Sequence, residues 1–138
     1  MDFGGIPTPN FPVFVPFIPY TALPQNLGLT NGLWLSAYLP FAPDHAFLAQ
    51  TLIVSYYVNG TTNATAYWDL GVSDSASQVY GRFTTQTDLN GVIVNRRILV
   101  NKVIPQTSTY LAFFAVKNGS PGNIYVQGAA LQGKIVSP

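Results

Sequence analysis

Side chains able to do acid–base or nucleophilic chemistry are few in this chain: one histidine, five aspartates, three lysines and three arginines, with no glutamate and no cysteine. His45 stands in Ala42-Pro43-Asp44-His45-Ala46, a loop between apolar stretches. A nucleophile needs a base within reach, and no nucleophile elbow accompanies the lone imidazole. His45 therefore reads as a hydrogen-bonded loop histidine. Glycoside hydrolysis needs two placed carboxylates, and only Asp2, Asp44, Asp69, Asp74 and Asp88 are on offer. Asp69 alternates with Trp68 and Leu70, which sets it on the outer face of a strand. Asp74 and Asp88 fall in turn-rich segments, where an aspartate bonds to nearby backbone. Asp69 and Asp74 with neighbouring carbonyls form the one candidate calcium set. A single histidine without cysteine cannot fill a zinc tetrahedron, and no glycine-rich phosphate loop follows a strand. The expectation is no catalytic residue, no metal and no cofactor.

Three features suit binding. Tyr57 and Tyr67 lie opposite Tyr56 and Trp68 in alternation and flank a turn at 59–63, so they are the best candidates for an exposed glycan-stacking platform; core filling is the ordinary role of large aromatics. Asn59, Asn63 and Asn118 each head an Asn-x-Ser/Thr triplet within a turn, which makes them candidate glycosylation acceptors. Arg96-Arg97 is the one basic pair. On a strand the two point to opposite faces, one able to meet an aspartate and the other a partner.

The composition narrows the class. At 138 residues the chain is one domain by size, and charged residues make up 8% of it where about 25% is usual. So apolar a chain is not disordered. Scarce Glu, Lys and Arg remove helix formers, while Val, Ile, Thr and aromatics favour strands. A net charge of +1 gives no footprint for nucleic acid. Weak self-repulsion suits surfaces covered by neighbours.

The amino-terminal stretch is the most unusual part. After Asp2 no charge occurs until Asp44, and six of the eleven prolines fall in the first 24 residues. Proline removes backbone donors and blocks helix, so this segment is neither an ordinary helix nor a central strand. Its apolar run at 11–20 is shorter than the roughly 20 residues a bilayer helix needs, and it lacks the positive region of a secretory signal. Residues 1–31 read as an extended proline-rich arm, with Phe11, Val13, Phe14, Val15, Phe17, Ile18 and Tyr20 as its contact residues. The arm either straps its own domain or docks on a neighbour. As polyproline II, at about 3.1 Å per residue, 24 residues reach roughly 75 Å. Deleting residues 2–24 is expected to leave a folded domain that no longer assembles.

From 32 to 138 the chain reads as seven or eight strands separated by turns, an all-β antiparallel sandwich with a jelly roll preferred over an immunoglobulin-like arrangement. Leu48, Gln50, Leu52, Val54, Tyr56 and Val58 line one face of one strand. Residues 48–58 and 64–72 read as a hairpin across 59–63. Asn90-Gly91 is a hairpin signal of the type I′ kind joining 78–87 to 92–100, with Val79, Gly81 and Phe83 on one side of the first and a bulge near the arginines in the second. Residues 110–116 are apolar on both faces and call for cover on both. Gly128 and Gly133 allow bends in the last strand.

In layout the chain resembles the small single-jelly-roll structural proteins of icosahedral viruses, including penton-type subunits and those of thermophilic archaeal viruses. Residues 3–24 stand for the arm and 32–136 for the roll. The resemblance implies a non-enzymatic virion subunit, capsid, vertex or minor, whose sandwich self-associates while the arm clamps neighbours. Its partners would be copies of itself and other proteins of the same shell. Residues 109–114 and 123–128 also resemble the last two strands of carbohydrate-binding jelly rolls, although Gln127 stands where that family places an acidic calcium ligand. A cell-surface filament subunit donating residues 11–20 as a strand is a third reading, with an extracellular location; Pro12, Pro16 and Pro19 each remove a ladder donor from it.

Overall fold

The computed structural model describes residues 13–19, 25–26, 32–37, 45–60, 62–74, 78–105 and 111–136, and of 18–19, 25–26 and 32–37 it describes the backbone. Ten strands follow one another: β1 (Val13–Pro16), β2 (Ile18–Pro19), β3 (Gln25–Asn26), β4 (Gly32–Ala37), β5 (Ala46–Asn59), β6 (Tyr67–Asp74), β7 (Val79–Thr84), β8 (Val94–Ile104), β9 (Leu111–Asn118) and β10 (Asn123–Val136). Sheet A runs β1-β10-β5-β8 with β3 also on β10, and sheet B runs β2-β4-β9-β6-β7. Setting aside the two-residue strands, the other eight nest as one long hairpin folded over. β1 pairs with β10, β4 with β9, β5 with β8, and β6 with β7, all antiparallel. That nesting defines a jelly roll, the preferred expectation.

The core lies between the sheets. Leu52, Val54, Tyr56 and Val58 of β5, with Ile124, Val126 and Leu131 of β10, face Trp68, Leu70, Leu111, Phe113 and Ala115, all fully buried. Each large apolar side chain removed from water in this way contributes roughly 1.5–3 kcal/mol. Alternation breaks where bulges fall. Against both its neighbours β5 changes register around Gln50, so Phe47 and Ala49 turn inward and Leu48 outward, not onto the face of Leu52 as expected. In β7 a bulge at Gly81, whose φ is +63°, buries Tyr80 and Phe83 and leaves Val79 exposed, which separates the three residues expected on one side. The register shift in β8 lies beyond Leu99, past the arginines, where Asn101 takes φ +49°. Shifts at Gly128 and Gly133 fall where bends were expected.

Both expected hairpins are corrected. β5 belongs to sheet A and β6 to sheet B, as β8 and β7 do, so the turns at 59–63 and 90–91 carry the chain from one sheet to the other. At Asn90-Gly91 only the glycine has positive φ, which excludes the type I′ turn. Among the described strands β6 and β7 are the one consecutive pair that forms a hairpin. Asp74 closes it: Gln78 N–H donates to its Oδ1 at 2.9 Å and the Tyr80 hydroxyl to its Oδ2 at 2.9 Å.

Strand pairing and core packing reach into the segment expected as an arm. Val13–Pro16 is a strand of the roll itself, and Val15 and Phe17 belong to its core. Phe17 sits 6.1 Å from Phe113, ring centre to ring centre. The Phe17 N–H donates to the Ala129 carbonyl at 2.9 Å. By antiparallel parity the nitrogens of residues 14 and 16 then point away from β10. Pro16 therefore lacks its donor on the open side of the sheet, which is how a proline fits a strand here. A deletion through residue 24 would remove β1 and two core side chains, so it does not isolate an arm.

Candidate functional site

One stretch of the surface concentrates exposed apolar side chains. Of the large apolar side chains standing exposed among the described residues, Leu89, Val92, Ile93, Leu99 and Val103 fall within 89–103. The others, Phe14, Val79 and Val116, are scattered. Leu99 is 80% exposed and opposes Thr51 on the outer face of sheet A. Next to it on that face Arg97 opposes Ile53 and extends into solvent. Among the described residues β8 is the margin of the sheet and nothing pairs with its far side, which leaves backbone groups there open to a partner strand.

The loop leading into β8 is held from beneath. Asp88 accepts a short hydrogen bond from the Tyr56 hydroxyl, and Arg96 donates to the Tyr56 oxygen at 3.1 Å and to Asp88 at 3.3 Å. The Arg96 guanidinium also lies 5.5 Å above the Phe83 ring. Burial first, then the neighbouring Asp88 carboxylate, raises the Tyr56 hydroxyl above the usual tyrosine range, partly offset by Arg96. Backbone contacts complete the anchorage: Thr62 Oγ1 donates to Asp88 O at 3.0 Å, Gly91 N–H to Val58 O at 2.8 Å and Gly60 N–H to Asn90 Oδ1 at 3.0 Å. Leu89, Val92 and Ile93 are thus exposed from a pinned loop. The paired and outward arginines follow from alternation. The apolar patch has a legible signal too, three large apolar residues flanking Asn90-Gly91, hidden by reading that dipeptide as a plain hairpin turn.

The three sequons converge on the same end of the sandwich. Asn59, Asn63 and Asn118 are all exposed. Asn63 Oδ1 accepts from Thr65 N–H, Thr65 Oγ1 and Ala66 N–H at 2.9–3.0 Å. The loops pack backbone to backbone. A Cβ on Gly122 would lie 2.5 Å from the Asn59 carbonyl, and one on Gly119 2.6 Å from that of Thr65, with both glycines at positive φ.

Other expected sites are dispersed. Tyr57 is on the outer face of sheet A and Tyr67 on that of sheet B, so the pair forms no common platform; the sandwich thickness, about 10 Å, separates the sheets. Tyr57 instead stacks on Tyr125, 4.9 Å between centroids at 13°. Asp69 forms a forked ion pair with Arg82 on the outer face of sheet B, while Asp74 is buried against Tyr80, so they do not share a calcium ion. Of the arm residues, Val15 and Phe17 are buried in the chain's own core, Val13 packs against it, and Phe14 is 56% exposed. Ile18 is described by backbone, and Phe11 and Tyr20 lie outside the described residues.

No known family model matches the chain, and no curated protein matches it in sequence. Among solved structures it is similar to the coat protein of tobacco streak virus, with 13% identity and a TM-score of 0.41 over 94% of this chain and 90% of that one. It is also similar to a chain of infectious bursal disease virus strain Gx, with 12% identity and a TM-score of 0.34 over 89% of this chain and 32% of that one. At these scores neither likeness carries weight, and the jelly roll is defined by the chain's own strand pairing.

Proposed function

We propose that the chain is a structural subunit that self-associates through its β-sandwich, and that the assembly it builds is a virion shell in which the proline-rich amino-terminal segment clamps a neighbouring copy. The role proposed is non-enzymatic. The observation that carries the reading is the exposed apolar stretch at 89–103, on a pinned loop and on a sheet margin that no described residue covers, in a chain with 8% charged residues. Contiguous exposed apolar surface marks an interaction site. The virion setting rests on the layout resemblance, since a jelly roll by itself hosts many functions. The test is sedimentation velocity over a wide concentration range with electron microscopy of the concentrated protein. Discrete oligomers or closed particles are expected. A single monomeric species throughout would sink the reading.

A further inference from the structure

The β8 margin differs from the β1 margin in having no proline and in bearing, together with the loop that leads into it, five of the eight large apolar side chains exposed among the described residues. We propose that it is a two-fold contact between copies, with β8 pairing antiparallel to β8 of a second copy about an axis at Ile98. This rests on the self-association proposed above and names its surface.

Three observations choose this occupant. First, among the described residues nothing pairs with β8 on the side away from β5, so strand addition meets open donors and acceptors along β8 as far as its bulge. The alternative of joining β8 to β1 of the next copy would meet Pro16, which has no donor on that side. Second, the charges narrow the register, and cover for Leu99 selects within what they allow. In a two-fold antiparallel pair, residues whose numbers sum to twice the central one oppose each other. Centring on Arg97 sets that guanidinium against itself. Centring on Ile98 sets Arg97 opposite Leu99 and Arg96 opposite Val100, and no like charges face each other directly. The Arg97 stem then covers Leu99, which is 80% exposed in the single chain. Third, the antiparallel direction carries Val92 and Ile93 of each copy toward Val103 of the other, so the remaining apolar exposure falls in the same contact. The bulge at Val100–Asn101 limits the regular ladder to the part of β8 before it.

The two Arg97 side chains lie diagonally across the axis, about 7–8 Å apart in such a pair. Their repulsion is screened by salt, so the dimer should tighten as salt rises. The decisive comparison is Leu99→Lys against Leu99→Asp, measured by sedimentation equilibrium of the full chain at low and high salt. Both remove the same apolar contact at an exposed position, and matching thermal unfolding to the parent confirms that both fold. Leu99→Lys sets a second cation against Arg97 and acts twice across the axis, so affinity should fall about tenfold or more. Leu99→Asp sets a carboxylate against Arg97, so the dimer should persist and its salt response should reverse. Equal weakening by both, or no change from either while the parent still associates, overturns the β8 contact and leaves self-association standing. A parent chain monomeric in every condition overturns both proposals.

Discussion

Among the described residues β1, with β3 beside it on β10, and β8 form the two margins of sheet A, and they are held and finished in different ways. β1 is short and tied inward by apolar packing of Val15 and Phe17. On its open side the nitrogen of Pro16 has no proton to offer. β8 is long, and the loop before it is tied inward by a polar clamp, Tyr56–Asp88–Arg96. Its open side keeps its donors and bears Leu99 and Val103 in solvent. Margins of sheets invite pairing, and proteins blunt those they do not use. One margin here is blunted by proline, and the other is left available apart from a bulge. The proline-rich amino terminus thus has a local purpose in the fold besides any contact with a neighbour.

The sharpest way to break this contrast is to remove what holds β1. A chain lacking residues 2–17 loses β1 and the Phe17–Phe113 contact, and should fail to unfold cooperatively. One lacking residues 2–12 should keep its fold. Phe17→Ala should lower stability by about 3–5 kcal/mol, while Phe14→Ala, on the exposed face of the same strand, should stay within about 0.5 kcal/mol. Chemical denaturation reads all four. Equal losses at Phe14 and Phe17 would mean that β1 does not pack as described.

Much of this fold was legible in the sequence and some of it was not, for physical reasons. Alternation fixed the inward faces of Leu52–Val58 and Trp68–Val72, because a buried face repeats every second residue. Turn residues marked where the chain reverses. They do not say whether it returns beside the strand it left or crosses to the opposite layer, since Asn90-Gly91 serves either. Bulges at Gln50 and Gly81 shifted parity without a sequence mark strong enough to place them. Proline at 12 and 16 excludes a central strand, but its even spacing is compatible with an edge, and that parity was the missed clue. For the binding surfaces, three of the signals were local (the sequons, Arg96-Arg97 and Tyr57). The partners, Tyr56 for Arg96 and Tyr125 for Tyr57, lie far along the chain and come close only through the nesting of strands.

The clamp under β8 gives the next test. Asp88→Ala leaves Arg96 and the Tyr56 hydroxyl without their carboxylate. The expected cost is about 2–3 kcal/mol, toward the low end for a buried pair because the Arg96 side chain is 30% exposed. Release of the 85–93 loop should appear as faster hydrogen exchange there, with β1 unaffected. Exchange rising equally at both margins would show that the two anchors are not independent.

Alkaline pH should act on two buried tyrosines, one in this clamp and one beside Asp74. Tyr80 is pushed up to about 12, chiefly by burial and then by its hydrogen bond to Asp74, and Tyr56 is raised further. Unfolded tyrosine titrates near 10. Protons therefore leave the unfolded chain first, so this stabilisation is fully present below about pH 10 and is lost as pH rises through the folded values. The denaturation midpoint should be flat up to about pH 9.5 and then decline. Titration of all eight tyrosines near 10 without loss of fold would contradict the burial of Tyr56 and Tyr80.

A small expected effect on stability bears most directly on the contrast between margins. Pro16→Thr restores an N–H on the open side of β1, beside that of Phe14, without touching the core. Losing the proline's restraint on the unfolded chain should cost no more than about 1 kcal/mol. Association should change instead. If β8 joins copies in pairs, an opened β1 offers each pair a second margin, and contacts that do not close on themselves run on into filaments. Pro16→Thr should then show species larger than the parent's by light scattering, growing with concentration. Adding Leu99→Lys, which blocks β8, should stop that growth at a pair joined through β1. If Pro16→Thr alone leaves the size distribution unchanged, the missing donor is not what closes β1. The difference between the margins would then lie in side chains, with Phe14 alone on one and the 89–103 patch on the other.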